Sequence, residues 1–190
     1  MTASSLDLEG LRRELAELDG ADPTERAHAA RCLSLIERGP AATRRSHFDP
    51  GHFTASAFVL SPDGASLLLI FHGKLHRWLQ PGGHIDAVDR NAAEAAAREL
   101  REETGLASFV RAHPGIFDVD IHEIPARKGD PCHEHFDLRY LFQAQQREVV
   151  AGSDARGVRW VALDEVQALE SDASVMRAVR KLQAIRGARG

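Results

Sequence analysis

The feature that most constrains this chain is an acidic cluster in the alanine-rich segment from Asn91 to Thr104. Within five residues the segment places Glu99, Glu102 and Glu103, in a protein whose formal net charge is only −4. The alanines predict a helix that ends at Gly105, and residues three and four apart share one face of a helix. The three carboxylates are therefore predicted to repel one another near a helix C-terminus, where the macrodipole disfavours anions.

Two interpretations of this cluster are open from the residues alone. A hard divalent cation such as Mg²⁺ or Mn²⁺ removes the repulsion, since it prefers oxygen ligands and is commonly shared between carboxylates, waters and substrate phosphates. The alternative is a solvated acidic face that arginines offset, with Arg98 at helical spacing from Glu94 and Glu102. The residues around the helix decide between them.

A longer motif surrounds the helix: "PGG" at residues 81–83, "REL" at 98–100 and "EETGL" at 102–106. It resembles the signature of the Nudix hydrolases, a spaced series of glycine, glutamate and Arg-Glu-apolar-x-Glu-Glu-x-Gly-apolar. The matching positions are Gly83, Arg98, Glu99, Leu100, Glu102, Glu103, Gly105 and Leu106. Two departures concern the first acidic residue: Asp89 replaces a glutamate, and eight residues instead of seven separate Asp89 from Arg98. In the family this residue supports the loop, and Asp86 is the alternative for that role.

The resemblance implies an α+β fold, a Nudix-type α/β/α sandwich with a mixed β-sheet. It covers roughly residues 52–185, with Trp78 and the segment from Trp160 to Val166 as weaker similarities. We therefore expect an N-terminal helical extension at residues 1–48 and a Nudix hydrolase domain at residues 49–190.

The resemblance also implies a reaction, the cleavage by water of the diphosphate linkage in a nucleoside di- or triphosphate derivative. The expected cofactor is Mg²⁺, with Mn²⁺ as a substitute. By match to the motif, the metal ligands are Glu99, Glu102, Glu103 and the carbonyl of Gly83. The catalytic residues are Glu102, Glu103 and Arg98, with Glu102 as the first choice for the base and Arg98 as the residue that orients a glutamate. Arg101 is expected at the surface.

Histidines and charged residues on two alternating segments form a second polar feature. His133 and His135 share a strand face with Asp137 and Arg139, and His122 shares one with Asp118 and Asp120. We interpret both segments as strands with one wet face. The predicted substrate contacts are Arg77, His84, His133, His135 and Asp137. A transition-metal site is the weaker alternative, because His-x-His lacks a known third ligand.

The remaining segments predict helices and strands around this middle part. Residues 5–38 predict two helices, and the turn "SPDG" at 61–64 predicts a hairpin that begins at Phe53. "GVRWVAL" at 157–163 predicts a strand, and a terminal helix is expected from Asp172. "HFT" at 52–54 is similar to the His-x-Thr element of another phosphoesterase class, but that class needs two such elements.

Composition and charge exclude several other classes of protein. With 24 basic against 28 acidic residues, the chain has no general attraction for nucleic acid or anionic membranes. No apolar run is long enough to span a bilayer, and we expect a cytoplasmic protein with Cys32 and Cys132 reduced. Neither a Rossmann nor a P-loop glycine motif occurs. We expect a small nucleotide-derived substrate. The open alternative is a nucleotide-binding or regulatory Nudix-fold protein without turnover. A homodimer is a further open prediction, since dimers are common among homo-oligomers.

Overall fold

The computed structural model describes residues 6–18, 20, 22–127, 129–152, 155–169 and 171–187. Their helices are α1 (Leu8–Ala16), α2 (Pro23–Ile36), α3 (Ala92–Thr104) and α4 (Ala173–Gly187). Short 3₁₀ helices cover Gly39–Thr43 and Val166–Leu169. No helix in this described part of the chain is long and apolar enough to cross a membrane.

The strands belong to one mixed sheet, which confirms the expected α+β fold. They are β1 (Gly51–Leu60), β2 (Ser66–His72), β3 (Arg77–Leu79), β4 (Gly82–His84), β5 (Phe109–Arg111), β6 (Asp118–Ile124), β7 (His133–Ala144) and β8 (Ala155–Ala162). The order is β3-β2-β1-β7-β5, with β4 paired to β1, β6 to β7 and β8 to β2.

The long predicted elements are confirmed, and the short strands are where the sequence prediction was wrong. The two N-terminal helices, the β1–β2 hairpin and helix α3 appear where the patterns predicted them. Strands β3, β4 and β5 were not predicted, and each is three residues long. A segment of that length shows no alternation of its own, and pairing with longer strands holds it in the sheet.

Two compact units make up the chain. Unit 1 consists of the described residues of Met1–Ser56, Gly82–Arg98 and His113–Tyr140. Within it, helix α2 contacts strand β6, so part of the N-terminal extension packs on the strands of this unit. The boundary between residues 48 and 49 stays a prediction.

Unit 2 consists of the described residues of Ala57–Pro81, Glu99–Ala112 and Leu141–Gly190. Its core is built from strand β2 and helix α4, together with the apolar residues of the α3 end. Fully or almost fully buried side chains here are Leu67, Leu68, Leu69, Leu100, Leu106, Val175 and Leu182.

Both cysteines are free thiols, as expected. Cys32 on α2 is buried, whereas Cys132 is exposed. Burial raises the pKa of the Cys32 thiol to about 12, so this thiol stays protonated at neutral pH.

The aspartates and the arginine on the polar face of β6 and β7 are buried, so the prediction of a wet face is wrong for them, whereas His122 on β6 is exposed. Asp118, Asp120, Asp137 and Arg139 are between 0% and 6% exposed. The Arg139 guanidinium donates from Nε to Asp137 at 2.9 Å and from Nη1 to Asp118 at 3.0 Å. Its Nη2 lies 3.3 Å from Asp120. Burial of these charges is tolerated because each carboxylate has the guanidinium as a partner, and we call these four residues the aspartate–arginine network.

Replacing Arg139 with Met should destabilise the protein strongly. The substitution keeps an apolar stem of similar length but leaves three buried carboxylates without their cation. We expect the free energy of unfolding to fall by about 3–5 kcal/mol, measured by urea denaturation at neutral pH.

The matched control is Arg147→Met. Arg147 pairs with Asp63 at 2.7 Å, but the two side chains are 47% and 58% exposed. This change should cost about 1 kcal/mol or less. Equal losses in the two variants would contradict the assignment of the network as a buried structural element.

Candidate active site

The end of helix α3 that carries Glu99, Glu102 and Glu103 is held by backbone contacts on its C-terminal side. Gly105 adopts a φ of 62°, a left-handed conformation that suits glycine, and its N–H donates to Arg101 O at 2.9 Å. The segment after strand β7 contributes two more donors, Val150 N to Thr104 O and Gly152 N to Glu103 O, both at 2.8 Å. These bonds satisfy carbonyls that the helix itself leaves without partners.

The side chains of the motif glutamates show different exposure on this helix end. Glu102 is exposed, whereas Glu99 and Glu103 are half-buried. Arg101 is exposed, as expected, with its guanidinium 4.6 Å from the centroid of the Phe109 ring. The carboxylate oxygens of the three glutamates are hard ligands on one helix, and such a set fits Mg²⁺ or Mn²⁺.

The three glutamates do not form the most compact group of ligand atoms. Among the residues that the structure describes, the group close enough to hold one ion consists of His52, His133 and His135. The three glutamates do not belong to that group, and their role as metal ligands stays a prediction. Like charges favour side-chain conformations that separate them, and glutamate has the rotamer freedom to do so.

Substituting Gly152 with Ala should disturb the helix end. A Cβ at this position would lie 2.2 Å from Glu102 O and 2.9 Å from Glu103 Cα, both of them backbone atoms. The loop must shift and loses its bond to Glu103 O. We expect a loss of about 1–3 kcal/mol in the free energy of unfolding, measured by urea denaturation.

Gly187→Ala is the control, because a Cβ built there meets no described atom within 4 Å apart from its chain neighbours and its own helix backbone. It should change stability by about 0.5 kcal/mol or less. An unchanged free energy of unfolding in Gly152→Ala would show that the loop does not support the helix end.

The loop before α3 is fixed to the helix by Arg98. Its Nε donates to Asp89 Oδ1 at 3.1 Å, and its Nη2 donates to Asp89 Oδ2 at 2.9 Å. The same Nη2 donates to His84 O at 2.9 Å. Helix α3 is also capped at its start, where Asn91 Oδ1 accepts from Glu94 N at 2.9 Å.

Asp89, and not Asp86, has the supporting role in this loop. Asp89 is 5% exposed, and its Oδ2 also accepts from Asp86 N at 2.8 Å. The Asp86 side chain is 63% exposed and lies 3.6 Å from Arg98. The shorter carboxylate and the longer loop therefore still give a paired, buried anchor. Glu94, which lies one helical turn before Arg98, accepts a hydrogen bond from Arg90 Nη2 at 2.5 Å.

Arg98→Lys should weaken this anchor although it keeps the charge. Lysine lacks the planar fork that binds both Asp89 oxygens and the His84 carbonyl together. We expect a loss of about 1–3 kcal/mol in the free energy of unfolding, because the buried carboxylate loses bonds.

Arg90→Lys is the matched control for the same substitution. Arg90 is 78% exposed and pairs with Glu94 of α3. Replacing Arg90 with Lys should therefore lower the free energy of unfolding by about 0.5 kcal/mol or less. If both lysine variants unfolded at the same urea concentration, the fork geometry of Arg98 would have no special role.

Five histidines from four strands of unit 1 lie close together, and we call them the histidine cluster: His52, His84, His122, His133 and His135. The centroid of the His52 ring lies 5.2 Å from that of His84, 5.2 Å from that of His133 and 4.8 Å from that of His135. The ring of His122 lies 5.5 Å from that of His135, its cross-strand partner. The alternating face of β7 and the pairing of the strands bring these side chains together.

Three histidines of this cluster have a pKa below the usual value of an imidazole, so their rings are neutral at pH 7. Burial and then the nearby His52 lower the pKa of His84 to about 4 and that of His135 to about 2. Burial also lowers the pKa of His52. For His122, burial lowers the pKa, but Asp120 and Asp137 outweigh burial and raise it above its usual value.

The predicted substrate contacts separate into two groups. His84, His133, His135 and Asp137 lie in unit 1, where His133 and Asp137 are buried and His84 and His135 are half-buried. Asp137 accepts from Thr54 at 3.2 Å and from Ser56 at 2.7 Å. Arg77 lies on β3, with Nη1 3.6 Å from Asp172 Oδ2. That any of them touches substrate stays a prediction.

Sequence reasoning assigned two members of the cluster, His122 and His52, to no site, and His52 is the buried one of the two. It is 1% exposed and lies at the start of β1. Its alternation with Thr54 and Ser56 was the available signal, but the partner strand was needed to show what this face meets.

Comparison with known families agrees with the motif. A family model described as the NUDIX domain matches residues 50–182. The phosphatases NudJ of Escherichia coli and of Shigella flexneri are each 37% identical to the chain over 93 residues, which is 47% of this chain and 54% of the relative. The chain thus spans about half the length of the curated relatives it matches.

Solved structures with a similar fold come from several organisms. A Nudix-family hydrolase from Clostridium perfringens has a TM-score of 0.54 and 24% identity, covering 70% of this chain and 97% of that one. A Caenorhabditis elegans Ap4A hydrolase complex has a TM-score of 0.55 and 18% identity, covering 72% and 98%. The NUDIX domain of Shewanella oneidensis NrtR with ADP ribose has a TM-score of 0.53 and 16% identity, covering 70% and 86%. At these identities the likeness shows the fold alone.

Proposed function

The chain belongs to the Nudix family, and on that premise we propose that it hydrolyses the diphosphate linkage of a nucleoside di- or triphosphate derivative by attack of water at phosphorus. The observation that carries the proposal is the run of three motif glutamates, Glu99, Glu102 and Glu103, on the supported end of α3. A Nudix-fold protein that only bound or sensed a nucleotide would not need all three carboxylates. Turnover is therefore favoured over the regulatory alternative.

Mg²⁺ is the proposed cofactor, with Mn²⁺ as a substitute. Glu99, Glu102 and Glu103 would hold it, and the motif adds the carbonyl of Gly83 as a predicted ligand. The bound ion supplies positive charge that stabilises the developing charge on the phosphate oxygens and lowers the pKa of the attacking water.

The remaining steps belong to side chains of the protein. Glu102 is the exposed member of the motif carboxylates, and it is the proposed residue that orients the water and takes its proton. Arg98 acts through Asp89 and the His84 carbonyl, since it fixes the loop that precedes the helix. The loop at residues 150–152 supports the helix from its other end. Catalysis then depends mainly on placement and on electrostatic stabilisation.

Fold similarity does not select the substrate. Three classes compete for the proposed site: nucleoside triphosphates, dinucleoside polyphosphates and nucleotide sugars. The related folds include an Ap4A hydrolase and a domain crystallised with ADP ribose, so both ligands belong in a substrate panel. A cytoplasmic location and a homodimer remain part of the proposal.

Glu102→Gln and Glu103→Gln should each leave the fold intact and lower turnover by roughly 10²-fold or more. Each substitution removes one negative charge while it keeps the size of the side chain. Mg²⁺-dependent release of phosphate, diphosphate or nucleoside monophosphate is measured across the nucleotide panel, with melting temperature as the check on folding.

The control on the same helix is Glu94→Gln, a change to a half-exposed carboxylate that pairs with Arg90 outside the motif. It should keep turnover within about twofold of the unchanged protein. Near-normal turnover in both motif variants would refute the catalytic assignment, and the absence of Mg²⁺-dependent product from every substrate would favour the binding alternative.

A further inference from the structure

Three imidazoles of the histidine cluster are arranged as ligands for a single ion. His52, His133 and His135 each offer one ligand atom, and these atoms all lie within 4.8 Å of one another. They come from the start of β1 and the start of β7. We propose that these three residues form a binding site for one divalent transition metal ion of the Zn²⁺ class.

Hydrogen bonds to the backbone orient two of the three rings. The Nδ1 of His52 lies 3.1 Å from His47 O, and the Nδ1 of His133 lies 2.8 Å from Pro131 O. A carbonyl only accepts, so each Nδ1 carries the proton and each Nε2 presents its lone pair. Metal-binding histidines are commonly fixed in this way, by a bond from the ring nitrogen that does not bind the metal.

The Nε2 of His52 has no hydrogen-bond partner among the residues that the structure describes. His52 is 1% exposed, and this atom is a buried nitrogen without a hydrogen bond. A buried acceptor that loses its water without replacement destabilises the fold. A metal ion bound to that lone pair removes the penalty, which gives the residue a reason to be histidine.

The backbone is shaped to bring the two strand starts together. Glu134 N donates to Pro50 O at 2.9 Å, which ties the start of β7 to the residue before β1. A Cβ at Gly51 would lie 1.8 Å from Glu134 O, so this approach needs a glycine. It places His52 directly beside the two histidines of β7 that flank Glu134.

The buried carboxylates near His135 favour a cation. The aspartate–arginine network follows His133 and His135 along the same face of β7, and it contains three carboxylates and one guanidinium. Its formal charge is negative by two. This buried excess lowers the cost of placing a positive ion near Asp137 and His135.

The donor set selects the metal. Three imidazole ligands suit Zn²⁺, Co²⁺, Ni²⁺ or Cu²⁺, whereas Mg²⁺ and Mn²⁺ prefer oxygen ligands. Zinc–nitrogen bonds of about 2.0–2.1 Å place tetrahedral ligands about 3.4 Å apart, so the rings close in by roughly 1 Å on binding. The fourth position is taken by water or another exogenous ligand. His133 and His135 then act as metal ligands in place of their predicted role in substrate binding.

The test is titration of the full chain with ZnCl₂ by calorimetry, in excess MgCl₂ so that the carboxylates of α3 do not compete. We expect one equivalent of Zn²⁺ to bind, a rise in melting temperature, and a visible absorption band with Co²⁺. His52→Gln and His135→Gln should each weaken Zn²⁺ binding by more than about 10-fold. His113→Gln, a substitution outside the cluster, should bind like the unchanged protein.

A double variant, Glu102→Gln with Glu103→Gln, separates this site from the motif. It should keep the Zn²⁺ equivalent, whatever its effect on hydrolysis. The melting temperature of each variant without metal checks folding, and His135→Gln decides the question if His52→Gln does not fold, because His135 is only half-buried. Unchanged affinity in His135→Gln, loss of binding in the glutamate variant, or no bound Zn²⁺ in the unchanged protein would overturn the proposal.

Discussion

The buried guanidinium of Arg139 is the interaction on which the polar half of unit 1 depends. It pairs with Asp118, Asp120 and Asp137, all nearly inaccessible to water. Without it, β6 and β7 would place three carboxylates in a region of low dielectric, which costs several kcal/mol per ion. With it, Asp137 also accepts hydrogen bonds from the hydroxyl groups of Thr54 and Ser56 on β1. Arg139 and Asp137 together connect the polar side chains of β1, β6 and β7.

Helix α3 also places several carboxylates close together in sequence, but these lie nearer to water than the aspartates of β6 and β7. Its acidic end is supported by backbone donors from residues 150–152, and the loop before it is held by Arg98 through Asp89. This pairing explains how the chain accepts an aspartate and an extra loop residue at a position where its family has glutamate. The guanidinium fork reaches both oxygens of the shorter side chain, so the anchor is kept.

Two donor sets with different chemistry follow from these two arrangements. The carboxylates of α3 are hard, charged and partly hydrated, which suits an ion shared with substrate phosphates. The imidazoles of β1 and β7 are buried or half-buried, and backbone carbonyls set the ring orientation of His52 and His133. Such nitrogen ligands suit a transition metal that the protein keeps. One small chain can therefore discriminate between metals by ligand type.

The sequence by itself determined the long elements, the family and the acidic end of α3, because those depend on local periodicity and on residue spacing along one helix. It also placed His133 and His135 on one strand face. It could not show that this face is buried, since strand alternation distinguishes two faces but not which one meets solvent. Only the tertiary structure decided that: pairing across β6 and β7 gave the aspartates their arginine, and the close approach at Gly51 added His52 as the third imidazole.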